Sequence, residues 1–291
     1  MSKKETPHIL AGLDSSATDD YIISFLDQNA AAFGAQKIDF IHILKEGKAE
    51  NADESIKERL LNSVHNAFTR NDIKYELHFS VGDPAEEVRN RSKNTAVNLL
   101  VLGHKKSEEH QLETNKLVKK PVCSLLLVPK KKDYSISKIC VALDFSELSL
   151  HTLKHAVNIA ELTGAKVVGF HAYEVPTGYH KSGKDHREYA EVMEENANKK
   201  AEVFLDKAGI ENIDIAYAYD EGGEPANCIA QFARNSNSDL VLIGSKGRTS
   251  AASILLGSVA KELIETLYDI PLMVVKVKNE NMDFVDAIKK I

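Results

Sequence analysis

Leu240-Val241-Leu242-Ile243-Gly244-Ser245-Lys246-Gly247, followed after nine residues by Gly257-Ser258, is the stretch from which the rest of the chain can be read. The four apolar residues read as a buried strand. Beyond Ser258, Val259, Ala260, Leu263, Ile264 and Leu267 recur at the spacing of one helix face. Strand, glycine loop and helix start, in that order, form a phosphate-binding arrangement. Glycine lets backbone N–H groups approach an anion with no side chain in the way. The helix N-terminus adds unpaired donors and partial positive charge, and Ser258 adds a hydroxyl. A nucleotide P-loop needs four residues between its glycines and then Gly-Lys-Ser/Thr. Here the gap differs and no lysine precedes Ser258. Nor is this the G-x-G-x-x-G of dinucleotide binders.

The chain also repeats itself. His8-Ile9-Leu10-Ala11-Gly12-Leu13-Asp14 is matched by Lys138-Ile139-Cys140-Val141-Ala142-Leu143-Asp144. Residues 38–43 match 167–172, each including a histidine, His42 and His171. Gly82-Asp83-Pro84-Ala85 matches Gly223-Glu224-Pro225-Ala226, and 98–103 match 239–244. Finally Pro121 to Val128 matches Pro271 to Val277. Matched landmarks in one order indicate a duplicated domain. Strands alternating with helical patterns indicate parallel α/β units. The expected boundaries are 1–130 for the first domain, 136–278 for the second and 279–291 for a tail. Phe284, Ala287, Ile288 and Ile291 share one helix face in that tail. A short charged linker, Pro129 to Ser135, reads as a solvated connection.

The copies differ at the loop. From Gly103 to Pro121 there are 18 positions, against 27 from Gly244 to Pro271. After Gly103 no second or third loop glycine remains, and Glu108 and Glu109 would repel an anion.

In its spacing, Gly244-x2-Gly247-x9-Gly257-Ser258 resembles the G-x2-G-x9-G-S/T loop of the universal stress protein family, in its ATP-binding branch. The resemblance implies an α/β fold of two tandem Rossmann-like open parallel five-stranded sheets with helices on both faces. It further implies that the last strands of the two domains pair, giving an internal pseudo-dimer. Its cofactor is ATP, with or without Mg. The binding residues it implies are Ala142, Asp144, Ala172, Gly244, Gly247, Gly257, Ser258 and Val259, with Asp144 at the ribose and metal-bound phosphate and Ala172 at adenine. Many ATP-binding members have proline where Ala142 stands. Lys246 and Arg248 are candidate phosphate neutralisers. The function implied is that of a nucleotide-binding stress sensor or regulator. A weak ATPase or autophosphorylating enzyme, and a non-catalytic adaptor with a structural loop, are the alternatives. No nucleophile triad or paired-acid pattern is present, and Glu147 and Arg248 are weak catalytic candidates at most. No catalytic residue is assigned.

Composition bounds the partners. A net charge of −6 argues against general nucleic-acid binding. No apolar run is long enough for a membrane span, and the N-terminal residues do not read as a signal peptide. A cytoplasmic protein is expected, with adenine nucleotide as partner and a homodimer as a further assembly. Cys123, Cys140 and Cys228 form no CxxC pair, and the eleven histidines show no ligand-type spacing, so no metal site is expected.

Overall fold

The computed structural model describes residues 7–44, 50–106, 116–117, 122–175, 185–246 and 256–277. In the first half the order is β1 (His8–Leu13), α1 (Thr18–Asn29), β2 (Lys37–Leu44), α2 (Glu50–Ala67), β3 (Lys74–Val81), α3 (Pro84–Asn94), β4 (Leu99–His104) and β5 (Ser124–Pro129). In the second it is β6 (Lys138–Ala142), α4 (Glu147–Thr163), β7 (Lys166–Tyr173), α5 (His186–Ala208), β8 (Asp214–Tyr219), α6 (Pro225–Asn235), β9 (Leu240–Gly244), α7 (Ser258–Thr266) and β10 (Leu272–Val275).

All ten strands join one sheet, in the order β3-β2-β1-β4-β5-β10-β9-β6-β7-β8. Within each half the pairing is parallel. At the centre β5 and β10 run antiparallel, with Leu127 opposite Leu272, Leu126 opposite Met273 and Leu125 opposite Val274. The expected pairing of last strands is present, and it makes one continuous sheet of the two five-stranded ones. An apolar edge left unpaired is a liability; each repeat removes it from the other. β10 ends at Val275, so Lys276 lies just past the strand, where its N–H donates to Ser124 Oγ at 3.1 Å.

Helices cover both faces, as near-continuous apolar strands require. Ile9 and Ala11 face a core that includes Phe25, Phe40, Leu60, Leu153, Phe204 and Met273. Leu10, between them, faces the other core, with Val88, Ile229, Leu263 and Val274. Both cores run through the central seam. Local signals set the helix ends. Asp83 caps α3 by accepting from the N–H groups of Ala85 and Glu86, with Pro84 in the first turn. Ser146 caps α4 by accepting from Ser149 N–H. Gly164 and Gly209 end α4 and α5 in the left-handed conformation that favours glycine.

The linker is anchored as well as solvated. Tyr134 is buried, its hydroxyl donates to Pro129 O at 2.9 Å, and its ring meets Phe25 edge-on. Cys140 is buried in β6, Cys123 lies one residue before β5, and Cys228 is in α6. The tail, 279–291, lies outside the described residues.

Candidate functional site

In the second half the strand order reverses at β6, which has β7 on one side and β9 on the other. Open α/β sheets bind ligands outside the carboxyl ends of strands at such a point. A cavity of 340 Å³ lies there. Ala142 and Asp144 reach it from the end of β6, Ala172 from β7 and Gly244 from β9. Gly257, Ser258 and Val259 reach it at the N-terminus of α7. These seven expected site residues, which span 118 positions of sequence from Ala142 to Val259, share one hollow. Lys246 lines it too. Gly247 and Arg248 lie outside the described residues.

Residues not singled out by sequence complete the walls: Ser149, Phe170, Glu174, Pro225, Ile229 and Ile243. Phe170 stacks on Phe232 with ring centroids 4.6 Å apart, which fixes the floor. For Phe170, Ile229 and Ile243 the sequence signal was apolar patterning, which does not separate a pocket wall from ordinary core, and nothing local marked Ser149 or Glu174.

The turn carrying Asp144 is built by local hydrogen bonds. Asp144 Oδ1 accepts from Ser146 N–H at 3.0 Å, and Phe145 between them has φ 62°. A bulky residue in that region is strained unless its surroundings hold it. Phe145 packs on His171 with ring centroids 4.5 Å apart and the rings tilted by 38°, and meets Phe204 edge-on at 5.5 Å. His171 Nδ1 in turn donates to Leu143 O at 2.7 Å. The first repeat has the same device. Ser15 has φ 65°, Asp14 Oδ1 accepts from Ser16 N–H, and His42 Nδ1 donates to Leu13 O at 2.8 Å. The repeated histidines thus brace the turn after the first strand of each half.

Gly244 has a packing role besides its place at the cavity. A Cβ there would lie 2.9 Å from Leu148 Cγ. At its counterpart, Gly103, a Cβ would lie 2.8 Å from Thr18 Cβ. In both repeats this glycine lets the helix that follows the first strand, α1 or α4, pack closely against the end of the fourth strand. Glu147 does not line this cavity. It pairs with Lys207 and lines a different hollow, beside Lys199, Lys200 and Phe204.

The equivalent place in the first repeat is filled by charge. Lys105 Nζ lies 2.8 Å from Asp14 Oδ2 and donates to Ser16 Oγ. Asp19, where the second repeat has Ser149, accepts from the N–H groups of Asp14 and Ser15 at 3.0 and 2.9 Å. Burial raises the Asp14 carboxyl, but Lys105 and Ser16 outweigh it and bring it down to about 2. At Asp19 burial wins, helped by the Asp14 charge and opposed by those N–H donors, and the carboxyl is pushed up to about 7.

This carries a testable pH dependence. Asp19 holds its proton more tightly folded than unfolded. Its contribution to stability is therefore largest at acid pH and falls as pH rises from about 4 to about 7, by at most ~1.4 kcal/mol per pH unit. Asp14 acts oppositely: its contribution is present above pH ~4 and is lost as pH falls toward 2. Urea unfolding at a series of pH values between 4.5 and 8 should show the Asp19 decline in the natural chain. It should be absent in Asp19→Asn. Equal slopes in the two proteins would remove Asp19 as its source.

One contact ties the first repeat to the second site. His104 Nε2 donates to Ile264 O in the last turn of α7 at 2.8 Å, and its ring lies 4.5 Å from Tyr268. The helix whose N-terminus lines the cavity is held at its other end by the first half.

One grouping was missed by sequence. Asp39, Glu76 and His78 bring potential metal-ligating atoms together on β2 and β3. Glu76 and His78, two apart, share a strand face. That they meet Asp39 follows from a register in which Asp39 lies opposite Glu76.

A universal stress protein family model matches residues 135–276. A universal stress protein of Methanocaldococcus jannaschii is 32% identical over 147 residues, covering 49% of this chain and 84% of that protein. One from Synechocystis is 27% identical over 138 residues, covering 44% and 90%. A solved universal stress protein from Archaeoglobus fulgidus covers 94% of this chain and 99% of its own, with TM-score 0.67 and 18% identity, a likeness of fold. No helix among the described residues is long and apolar enough to cross a membrane.

Proposed function

The chain belongs to the universal stress protein family, and from that premise we propose that its second repeat binds ATP and acts as a nucleotide-dependent sensor or regulator. The observation that carries this reading is the convergence of Asp144, Ala172, Gly244, Gly257, Ser258 and Val259 on one cavity at the strand-order reversal. The reading places the phosphates at the N-terminus of α7, where helix N–H groups and the Ser258 hydroxyl donate, with Lys246 adding charge. Adenine lies along Ala172 and Phe170, and the ribose beside Asp144. Asp144 would be the protein's ligand to a Mg ion accompanying the phosphates. The first repeat leaves ATP unbound, since no loop glycine follows Gly103, Lys105 engages Asp14, and Asp19 brings a second carboxylate where the other repeat has Ser149. Gly247 belongs to the same proposed phosphate loop.

The reading is of a binding protein, located in the cytoplasm, rather than a catalyst. In-line phosphoryl transfer needs a group to orient the nucleophile and a cation at the transferring phosphoryl. Glu147, the carboxylate considered for that work, is engaged by Lys207 outside the cavity. Equilibrium dialysis with ATP is expected to give one bound nucleotide per chain. Steady-state hydrolysis is expected far below the ~1 per second of ordinary enzymes. Two bound nucleotides per chain would restore the first repeat as a site. Hydrolysis near 1 per second that disappears in Asp144→Asn would favour the enzyme reading.

A further inference from the structure

On the first repeat's outer strands, Asp39 is wholly buried, with Glu76 and His78 beside it on β3. His78 Nε2 lies 3.4 Å from Asp39 Oδ1 and 3.3 Å from Glu76 Oε2. A zinc-class ion bonded at about 2.0–2.2 Å to such atoms sets tetrahedral ligand–ligand separations of about 3.3–3.6 Å. The other carboxylate oxygen is already oriented. Asp39 Oδ2 faces Arg91 at 3.0 Å and His8 Nε2 at 3.3 Å. Such partners fix a ligating carboxylate in metal sites. His78 Nε2 is buried and makes no hydrogen bond. Lys37 meets Oδ1 as an ion pair at 3.1 Å and Glu76 Oε2 at 3.0 Å, so a cation already sits over the two carboxylates.

The second repeat is an internal control. Its strands β7 and β8 carry the equivalent ion pair, Lys166 with Asp214 at 2.6 Å. Val168 stands opposite Asp214 where Asp39 stands opposite Glu76, and Ala216 takes the place of His78. The same sheet edge therefore forms with no carboxylate at the position of Asp39 and no histidine at that of His78. Burying a carboxylate is costly unless it is paired, and the fold itself does not demand this one.

We propose that Asp39, Glu76 and His78 form a binding site for a divalent transition-metal ion of the zinc class. Lys37 is the resident cation, and its ammonium moves out toward solvent when the metal enters. Mixed carboxylate and imidazole donors suit this class. Glu76, with its side chain 56% exposed, opens the route from solvent, and water completes the coordination.

The test is calorimetric titration of the chelator-treated full chain with Zn(II) alone, alongside Co(II) absorption as a reporter of tetrahedral geometry. One equivalent is expected in the natural chain. His78→Gln and Glu76→Gln should each weaken it by at least about tenfold. Lys37→Met, which removes the competing ammonium, should tighten it by about tenfold or more. Thermal unfolding of each apo variant reports that the fold is kept, and Glu76→Gln alters an exposed side chain. Equal isotherms for the natural chain and both ligand variants would overturn the site. Uptake by Lys37→Met alone would overturn it too, because the lysine would then hold the site closed.

Discussion

Gly257→Asp is expected to abolish stabilisation by ATP while leaving the fold intact. Gly257 precedes α7 with φ −67° and ψ 154°, ordinary extended backbone for any residue, and makes no side-chain cap. Aspartate is among the preferred residues at that position, because its carboxylate accepts from the first free N–H groups of the helix. Those are the donors assigned to the phosphates. The substitution therefore satisfies the helix and at the same time places negative charge where an anion must sit. In the natural chain, ATP at 100 times its Kd should stabilise the folded state by about 2.7 kcal/mol. In Gly257→Asp the gain should fall to near zero, with the nucleotide-free melting temperature unchanged or slightly higher. Thermal melts with and without ATP measure both quantities. A full ATP-dependent shift in the variant would show that the phosphates lie elsewhere.

The second large effect is at the seam. Leu126 and Met273 stand opposite each other across the antiparallel pair, both buried in the same core. Truncating either to alanine removes buried side-chain contacts and leaves a cavity, at a cost of about 2–5 kcal/mol. Since the two touch the same space, the double variant should lose less than the sum of the single losses, with a coupling on the order of 0.5–3 kcal/mol. Urea unfolding of the natural chain, the two singles and the double closes the cycle. Strict additivity would mean that the two side chains do not share a packed seam.

The α/β class was legible because strands buried on both faces are apolar along their whole length, as in residues 99–102 and 240–243. Duplication was legible because Asp14 and Asp144, His42 and His171, and Gly103 and Gly244 recur in order. The glycine motif was legible because it is local: Gly244 to Ser258 spans 15 residues between an apolar strand and a helix start. The loss of that loop in the first repeat could be counted directly in missing residues.

Sequence by itself thus determined the repeats, the strand-and-helix alternation and the glycine motif of the second half, all of which depend on neighbours along the chain. What fills the first-half crevice was decided only by tertiary structure, since Lys105, after β4, meets Asp14, after β1, only because those two strands are neighbours in the sheet. The same holds for the wall of the cavity, where Phe170 and Glu174 read as strand residues until the strand order brings them to the glycine loop. It holds most clearly for Asp39, Glu76 and His78. Their meeting depends on the register of two parallel strands, and a shift of one residue would turn an entire strand's side chains to the opposite face. Periodicity along one strand carries the face but not the register, and register is settled by packing across the sheet.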